Sequence, residues 1–161
     1  MIMRVFLADG DGVVGRLLVA GFVRRGHRVT AATAHGATLD ALARWGARGR
    51  LMDGRDAVSV GVTVGAARPD AIVHRMTVRE GGGTDHLLAA AQAAGVPHVV
   101  AWSPAPRPRP LSAPESAVLA AGGAVLPRCA HLGAAAEATV RAVEQRRTGV
   151  LRCAPCEGRT P

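Results

Sequence analysis

Four polar side chains that could transfer protons or act as nucleophiles each follow a short apolar run in this sequence. They are Asp9, Asp11, His74 and Ser103. Histidine titrates near neutral pH, so His74 beside carboxylates could donate and accept protons. We therefore take these four residues as the candidate catalytic set for acid/base chemistry. A histidine at a strand end is also a common structural hydrogen-bonding residue, and this alternative stays open.

Glycine spacing around two of these acids indicates a phosphate-binding turn. The stretch LADGDGVVGR, residues 7–16, has glycines at the G-x-G-x-x-G spacing between an apolar run and a helical pattern. Such glycines let backbone amides and the positive end of the following helix approach a pyrophosphate. The turn supplies five candidate cofactor-binding residues: Gly10, Gly12, Val13, Val14 and Gly15.

The two acids within this turn oppose that interpretation. Two like charges ~5 Å apart repel by roughly 1 to 3 kcal/mol in a partly hydrated site. Asp9 and Asp11 should therefore weaken pyrophosphate binding without excluding it. A strand-to-helix turn with no ligand would carry similar glycines, so a working cofactor turn and a purely structural one both stay open.

Apolar runs alternate with helical patterns along most of the chain. Strands are predicted at residues 4–8, 28–33, 49–52, 70–74, 97–102, 124–128 and 150–153, and helices at residues 13–25, 38–45, 56–67, 84–94, 115–121 and 132–146. This alternation predicts a parallel sheet covered by helices on both faces. We expect one α/β domain over residues 1–161, a Rossmann-like three-layer fold with a mostly parallel sheet of about six or seven strands. Thr84 is expected to cap its helix.

The alternation breaks at residues 104–114, PAPRPRPLSAP. This segment contains five prolines. Proline lacks an amide hydrogen and disfavours helix interiors, so we predict an extended proline-rich loop.

Composition restricts the chemistry and the partners. All 20 basic residues are arginine, and the chain has neither lysine nor tyrosine, so it offers neither a Schiff base nor a tyrosine acid. The formal charge of +8 comes from scattered arginines with few aromatic residues among them. This argues against nucleic-acid binding and favours an anionic small ligand or simple solubility. No apolar run could span a membrane and no signal-peptide pattern opens the chain, so we expect a cytoplasmic protein.

Several segments occur in the order typical of one known family. RVFLADGDGVVGRLL, GHRVTAAT, ARPDAIVH, GTDHLLAAAQAAGV and PHVVAWS follow one another over residues 3–103. ESAVLAAGGAVLPR, AHLGAAAEATVRAVE and TGVLRCAPCEG continue that order. The chain resembles the NAD-dependent epimerase/dehydratase family, which comprises extended and atypical short-chain dehydrogenases. The resemblance implies NAD or NADP as cofactor, a small-molecule substrate and a homodimer.

The resemblance also assigns roles to single residues. It matches Asp53, which is followed by Gly54, to an aspartate at the adenine amine, although a helix-capping role for Asp53 stays open. It matches Ser103 to a strand-end serine. A dinucleotide fold usually carries a ribose-binding acid or a phosphate-binding arginine after its second strand. This chain has Thr33-Ala34-His35 there, and His35 is either a phosphate contact or an exposed loop residue.

The departures from the family shape the functional prediction. Asp9 stands where the family's first glycine is expected, and the proline-rich loop replaces both the catalytic Tyr-x-x-x-Lys and one of two dimerisation helices. The substrate lobe is expected to be largely deleted, because Cys129 directly follows the sixth predicted strand. We therefore expect an enzyme of bacterial specialised metabolism that uses non-redox acid/base chemistry: cyclisation, isomerisation, dehydration or elimination. Met76 and Trp102 would form the hydrophobic mouth of its pocket.

Two non-catalytic alternatives remain. The chain could be an NAD(P)-binding sensor similar to NmrA-type regulators, which the loss of the catalytic pair would suit. It could also be a subunit that stabilises an enzyme partner.

The cysteines are the last candidate for chemistry. Cys129-x-His131 and Cys153-x-x-Cys156 could together supply four zinc ligands. Their spacing is not that of a standard zinc ribbon, and Pro155 lies within the second pair. Incidental cysteines are the default, and we predict no metal site.

Overall fold

The computed structural model describes residues 1–75, 83–106 and 109–153. Seven strands form one sheet: β1 (Arg4–Leu7), β2 (Arg28–Thr33), β3 (Arg48–Leu51), β4 (Ala71–Arg75), β5 (Val99–Trp102), β6 (Ala124–Leu126) and β7 (Gly149–Val150). Their order is β3-β2-β1-β4-β5-β6-β7, and all six pairings are parallel. The predicted Rossmann-like parallel sheet is therefore confirmed.

Six α-helices cover the sheet: α1 (Gly12–Arg24), α2 (Leu39–Arg44), α3 (Ala57–Ala67), α4 (Gly83–Ala93), α5 (Ala113–Ala120) and α6 (Leu132–Glu144). A short 3-10 helix, Gly36–Thr38, precedes α2. Helices α1, α2 and α6 contribute to one apolar cluster, and α3, α4 and α5 contribute to the other. The sheet thus has a core on each face, which gives three layers.

Apolar side chains of β1 pack into both cores. Val5 and Leu7 belong to the cluster with α1 and α6, whereas Phe6 belongs to the cluster with α3 and α4. Successive strand residues point to opposite faces, and all three of these side chains are almost fully buried. An apolar run without polar alternation is typical of a strand covered on both faces.

The order of the strands creates a crevice beside β1. The chain runs from β1 outward to β2 and β3, then returns to the other side of β1 to form β4. At such a switch point the loops after neighbouring strands diverge, and ligands of parallel α/β folds bind at the carboxyl ends of the strands there. Asp9, Thr33 and His74 lie at or just beyond those ends.

All seven predicted strands and all six predicted helices are present, and no end is shifted by more than three residues. β2 has the predicted bounds, whereas α5 begins at Ala113 rather than at residue 115. A capping box explains the earlier start, because Ser112 and Glu115 bond each other's backbone and side-chain groups at the first turn. In the described part of the proline-rich loop, 104–106 and 109–112, no residue is helical or extended in the sheet.

The prediction that Thr84 caps α4 is wrong. The helix begins at Gly83, so Thr84 lies within its first turn, where its side chain is buried. Its hydroxyl contacts the His74 imidazole instead, with Oγ1 and Nε2 3.0 Å apart. The contact between the Thr84 hydroxyl and His74 of β4 is a tertiary one, so local capping patterns do not reveal it.

Two further features bear on the sequence predictions. Only five residues, 127–131, separate β6 from α6, so no additional lobe lies between these elements. Among the described residues, no helix combines the length and apolar character needed to cross a membrane. The cytoplasmic location and the homodimer stay predictions.

Candidate functional site

A cavity of about 690 Å³ opens over the carboxyl ends of β1, β2 and β4. Its size is within the range of small-molecule and cofactor sites. Six of the predicted site residues line it: Asp9, Asp11, His35, Asp53, Gly54 and His74. The tertiary structure thus brings together residues that are up to 65 positions apart in the chain, at the crevice that the strand order creates.

The glycine turn lies beside this cavity and is closely packed. A Cβ atom on Gly15 would lie 2.0 Å from the carbonyl oxygen of Gly10, and one on Gly10 would lie 2.9 Å from Ala31 Cβ. Gly12 has a φ of 71°, a left-handed conformation that favours glycine. The three glycines therefore allow β1 and α1 to meet in a tight turn. Gly10, Gly12, Val13, Val14 and Gly15 form this turn but do not line the cavity.

Both acids of the turn are held by neighbouring side chains. Asp9 forms an ion pair with Arg75, and the Arg75 Nε donates to Asp9 Oδ2 at 3.1 Å. Asp11 Oδ1 accepts a hydrogen bond of 2.7 Å from the Thr33 hydroxyl. The charge of Asp9 is therefore compensated by an arginine, and Asp11 has a neutral partner. The sequence interpretation missed Arg75, although it directly follows His74 in the chain.

The first turn of α1 has no side-chain cap from the described residues. Asp11 is at the N-cap position, yet its carboxylate makes no capping hydrogen bond. The leading amides of a helix that lack a cap, together with the positive end of the helix dipole, form a suitable site for an anion. This observation fits a pyrophosphate at the turn, and the compensation of Asp9 by Arg75 removes part of the expected repulsion.

His35 and Asp53 are two further predicted cofactor-binding residues that line the cavity. His35 is exposed, and its backbone N–H donates to the Thr33 hydroxyl at 2.9 Å. Asp53 accepts at Oδ1 from the Arg55 backbone N–H at 2.9 Å. The open alternative that Asp53 caps a helix is wrong, because the carboxylate of Asp56 accepts from two amides at the start of α3. Asp53 retains oxygen lone pairs for a ligand.

His74 is a half-buried residue in the wall of the cavity, and its imidazole is neutral at pH 7. Burial lowers its pKa to about 4, the charge of Asp9 opposes that shift, and the charge of Arg75 adds to it. Its Nε2 contacts Thr84, and its buried Nδ1 has no hydrogen-bond partner within the described part of the chain. His74 and a carboxylate form no hydrogen bond among these residues, because Arg75 binds Asp9 and Thr84 binds His74.

Ser103 lies outside the cavity, in a separate polar cluster. Its hydroxyl oxygen accepts from Arg109 Nη2 at 3.0 Å, and Arg109 Nη2 also donates to Glu115 Oε1 at 2.6 Å. Burial raises the pKa of Glu115, but hydrogen bonds from Ser103, Ser112 and Arg109 outweigh it and bring the pKa to about 2. Glu115 is therefore a buried anion that connects the proline-rich loop to α5 and to the end of β5.

Among the described residues, the remaining predicted groups do not form the sites that the sequence suggested. Trp102 does not form a mouth to the cavity, because its indole N–H donates to Thr139 of α6 at 2.7 Å. Met76 and Cys156 lie outside the described residues. Cys129 and Cys153 are neighbours, yet among residues 1–75, 83–106 and 109–153 no group of three or more metal ligands comes together.

Comparison with known proteins supports the fold more strongly than any activity. No family model matches the chain. A 3-diazoavenalumate denitrifying reductase from a Streptomyces species is 34% identical over 118 residues, which cover 63% of this chain and 38% of that protein. This chain therefore spans well under half the length of that curated relative.

Solved structures show the same architecture at low sequence identity. The Bordetella bronchiseptica enzyme WbmH in complex with NAD+ has a TM-score of 0.71 at 15% identity, covering 93% of this chain and 75% of that one. The Thermus thermophilus UDP-glucose 4-epimerase with NAD has a TM-score of 0.71 at 17% identity, covering 92% and 76%. AtPrR2 with NADP+ and (+)pinoresinol has a TM-score of 0.69 at 18% identity, covering 94% and 68%. The chain thus has the Rossmann-like fold of NAD-binding epimerases that its resemblance to the epimerase/dehydratase family implied.

Proposed function

We propose that this chain belongs to the epimerase/dehydratase family by descent and binds NAD or NADP in the cavity over its strand ends. The observation that carries the proposal is the uncapped start of α1, at the turn whose acids line that cavity. Helix amides and glycine backbone would hold the pyrophosphate. His35, Asp53 and Gly54, which also line the cavity, would contact the adenosine half of the ligand.

A catalytic role on a small molecule is the second candidate. When bound, a pyridine dinucleotide supplies or accepts hydride. The name of the 34% identical relative is that of a reductase, which favours a reaction that uses the dinucleotide. The other class of reaction is acid/base chemistry without redox. It would rely on Asp9, Asp11 or His74, which face the cavity. The pKa of His74 keeps its imidazole neutral at pH 7, so it would accept a proton rather than donate one.

A sensor would bind the dinucleotide without turning it over. The absence of tyrosine and lysine from the chain suits this role as well as an unusual catalytic role. Binding is therefore the property that both candidates share, and it is the property to test first.

The test introduces a large side chain into the cavity at an exposed position, where it does not disturb the core. Ala34 lines the cavity and is exposed, so Ala34→Trp should place an indole in the predicted ribose region without repacking the interior. Calorimetry of the wild-type chain with NAD, NADH, NADP and NADPH should show micromolar binding of at least one. We expect Ala34→Trp to weaken that binding by at least tenfold.

Ala37→Trp is the matched control, since Ala37 is also exposed and lies three residues away but does not line the cavity. Its affinity should stay within about twofold of wild type. If none of the four dinucleotides binds the folded wild-type chain, the proposal fails. Equal weakening by the two tryptophan variants would place the ligand elsewhere.

A further inference from the structure

We propose that Cys129 and Cys153 form a modification site, a thiol pair that a hydroperoxide oxidises to a disulfide. The structure places the two sulfur atoms 2.9 Å apart, as a hydrogen-bonded pair with Cys129 as the donor. The cysteines are 24 positions apart in the chain, and all of α6 lies between them. Their contact is thus a product of the fold rather than of local spacing.

The sheet fixes both partners of this pair. Cys129 follows β6 in the short segment that leads to α6. Cys153 follows β7, is only 6% exposed and packs in the apolar core beneath α1 and α6. The Leu151 N–H donates to the Val125 carbonyl at 2.8 Å, so the segment after β7 is held alongside β6. Neither sulfur needs a large movement of the chain to reach the other.

The difference in exposure between the two cysteines suits sequential oxidation. Cys129 is partly exposed, whereas Cys153 is buried. The Cys129 thiolate would attack one peroxide oxygen, which breaks the O–O bond, forms a sulfenic acid and releases one water after protonation. The Cys153 thiolate would then attack the Cys129 sulfur, which forms the S–S bond and releases hydroxide as a second water. Two thiols and one hydrogen peroxide thus give one disulfide and two waters, with sulfur oxidised and peroxide reduced.

The disulfide would secure a weak edge of the sheet. β7 has two residues and pairs only with β6 among the described strands. A bond between Cys129 and Cys153 would close a loop that contains α6 and would hold the segment after β7 against its neighbour. Cross-links of this loop length restrict the unfolded chain, so the oxidised protein should be the more heat-stable form.

The main rival pairing involves Cys156, which is three residues from Cys153 and lies outside the described residues. Trypsin releases Cys129 in the peptide 129–141 but leaves Cys153 and Cys156 together in 153–159. Cys156→Ser therefore removes the ambiguity, because a cross-link between the two peptides can then involve only Cys153.

The experiment first depletes the Cys156→Ser chain of metal with a chelator, then treats it with hydrogen peroxide and blocks the remaining thiols by alkylation. Mass spectrometry of the digest should find peptides 129–141 and 153–159 joined, and dithiothreitol should separate them. The linked species should be absent from the double variants Cys129→Ser/Cys156→Ser and Cys153→Ser/Cys156→Ser. The absence of a linked peptide in Cys156→Ser would overturn the proposal. A cross-link that no longer forms when the protein is diluted would also overturn it, because such a link joins two chains.

Thermal unfolding provides a second measurement. The oxidised Cys156→Ser variant should unfold about 5 to 10 °C above its reduced form. The double variant Cys129→Ser/Cys156→Ser should show no such difference after the same treatment. If the linked peptide forms but the midpoint does not rise, the fold does not hold the pair ready, and the proposal fails.

Discussion

Asp11 is the residue whose charge most directly opposes a pyrophosphate at the glycine turn. Asp9, the other acid, is paired with Arg75, whereas the side-chain partner of Asp11 is the neutral Thr33 hydroxyl. Asparagine at position 11 would keep an oxygen that can accept from Thr33 but would remove the negative charge. Substitution of Asp11 by asparagine therefore tests the effect of its charge on dinucleotide binding with little change in side-chain shape.

We predict that Asp11→Asn tightens dinucleotide binding about fivefold or more, because it removes a repulsion of roughly 1 kcal/mol or greater. Calorimetry with the dinucleotide that binds wild type measures the change. Asp40→Asn is the control: Asp40 is exposed on α2 outside the cavity, and its substitution changes the net charge by the same amount. Equal effects of the two variants would attribute the gain to net charge, and weaker binding by Asp11→Asn would contradict the assigned ligand position.

At the scale of the elements, a buried anion joins the proline-rich loop to α5. Glu115 has no exposed surface, and its Oε2 accepts from the Ser112 backbone N–H at 2.6 Å and from the Ser112 hydroxyl at 2.9 Å. Arg109, from the loop, binds the other carboxylate oxygen. Proline has no amide hydrogen, so the prolines of this loop donate no backbone hydrogen bonds, and the ion pair and capping box hold the loop instead.

We predict that Glu115→Gln lowers the free energy of unfolding by about 2 to 4 kcal/mol, because it leaves the Arg109 guanidinium without its buried counter-charge. Glu137→Gln is the matched control, since Glu137 pairs with Arg25 and Arg141 at the surface with a side chain 38% exposed. Its loss should be about 1 kcal/mol or less. Urea unfolding measures both variants. A loss in Glu115→Gln no greater than in the control would show that the loop does not depend on this pair.

At the scale of the whole molecule, the single sheet with an apolar core on each face should unfold cooperatively, so one group inside it can set how the stability responds to pH. His74 is such a group. Burial lowers its pKa from 6.5 to about 4, against the attraction of Asp9 and with the repulsion of Arg75. Between these two pH values the unfolded chain binds a proton that the folded chain does not. The contribution of the neutral His74 to the free energy of unfolding is therefore fully present above pH 6.5. It is lost as the pH falls from 6.5 to about 4.

We predict that His74→Gln loses less stability than wild type between pH 6.5 and pH 4.5, a window in which most carboxylates are still ionised. The difference should be on the order of 2 kcal/mol at the acid end. Glutamine can still contact the Thr84 hydroxyl. Urea unfolding at several pH values gives the profile, and His35→Asn, an exposed position, should follow wild type. Parallel profiles for His74→Gln and wild type would contradict the neutral buried imidazole.

The local sequence pattern alone determined the three-layer arrangement of sheet and helices in this protein. Short apolar runs can be buried on both faces only as strands of a covered parallel sheet, and glycines at 10, 12 and 15 specify a tight strand-to-helix turn. The element ends were less accurate where a tertiary contact or a cap decided them, as at Thr84 and Ser112. The positions of Asp9, Asp11, Asp53 and His74 at or after strand ends also predicted that they line one cavity, whereas Ser103, after β5, lies outside it.

Only the tertiary structure decided which of these side chains meet. Arg75 neutralises Asp9, Thr84 takes the place of a carboxylate beside His74, and Arg109 with Glu115 holds Ser103 away from the cavity. Each of these contacts joins separate segments of the chain, and an ion pair or hydrogen bond forms wherever packing brings its partners within reach. The order of residues along the chain determines the fold through local periodicity, but the pairing of charges depends on distances that exist only after the sheet and helices have assembled.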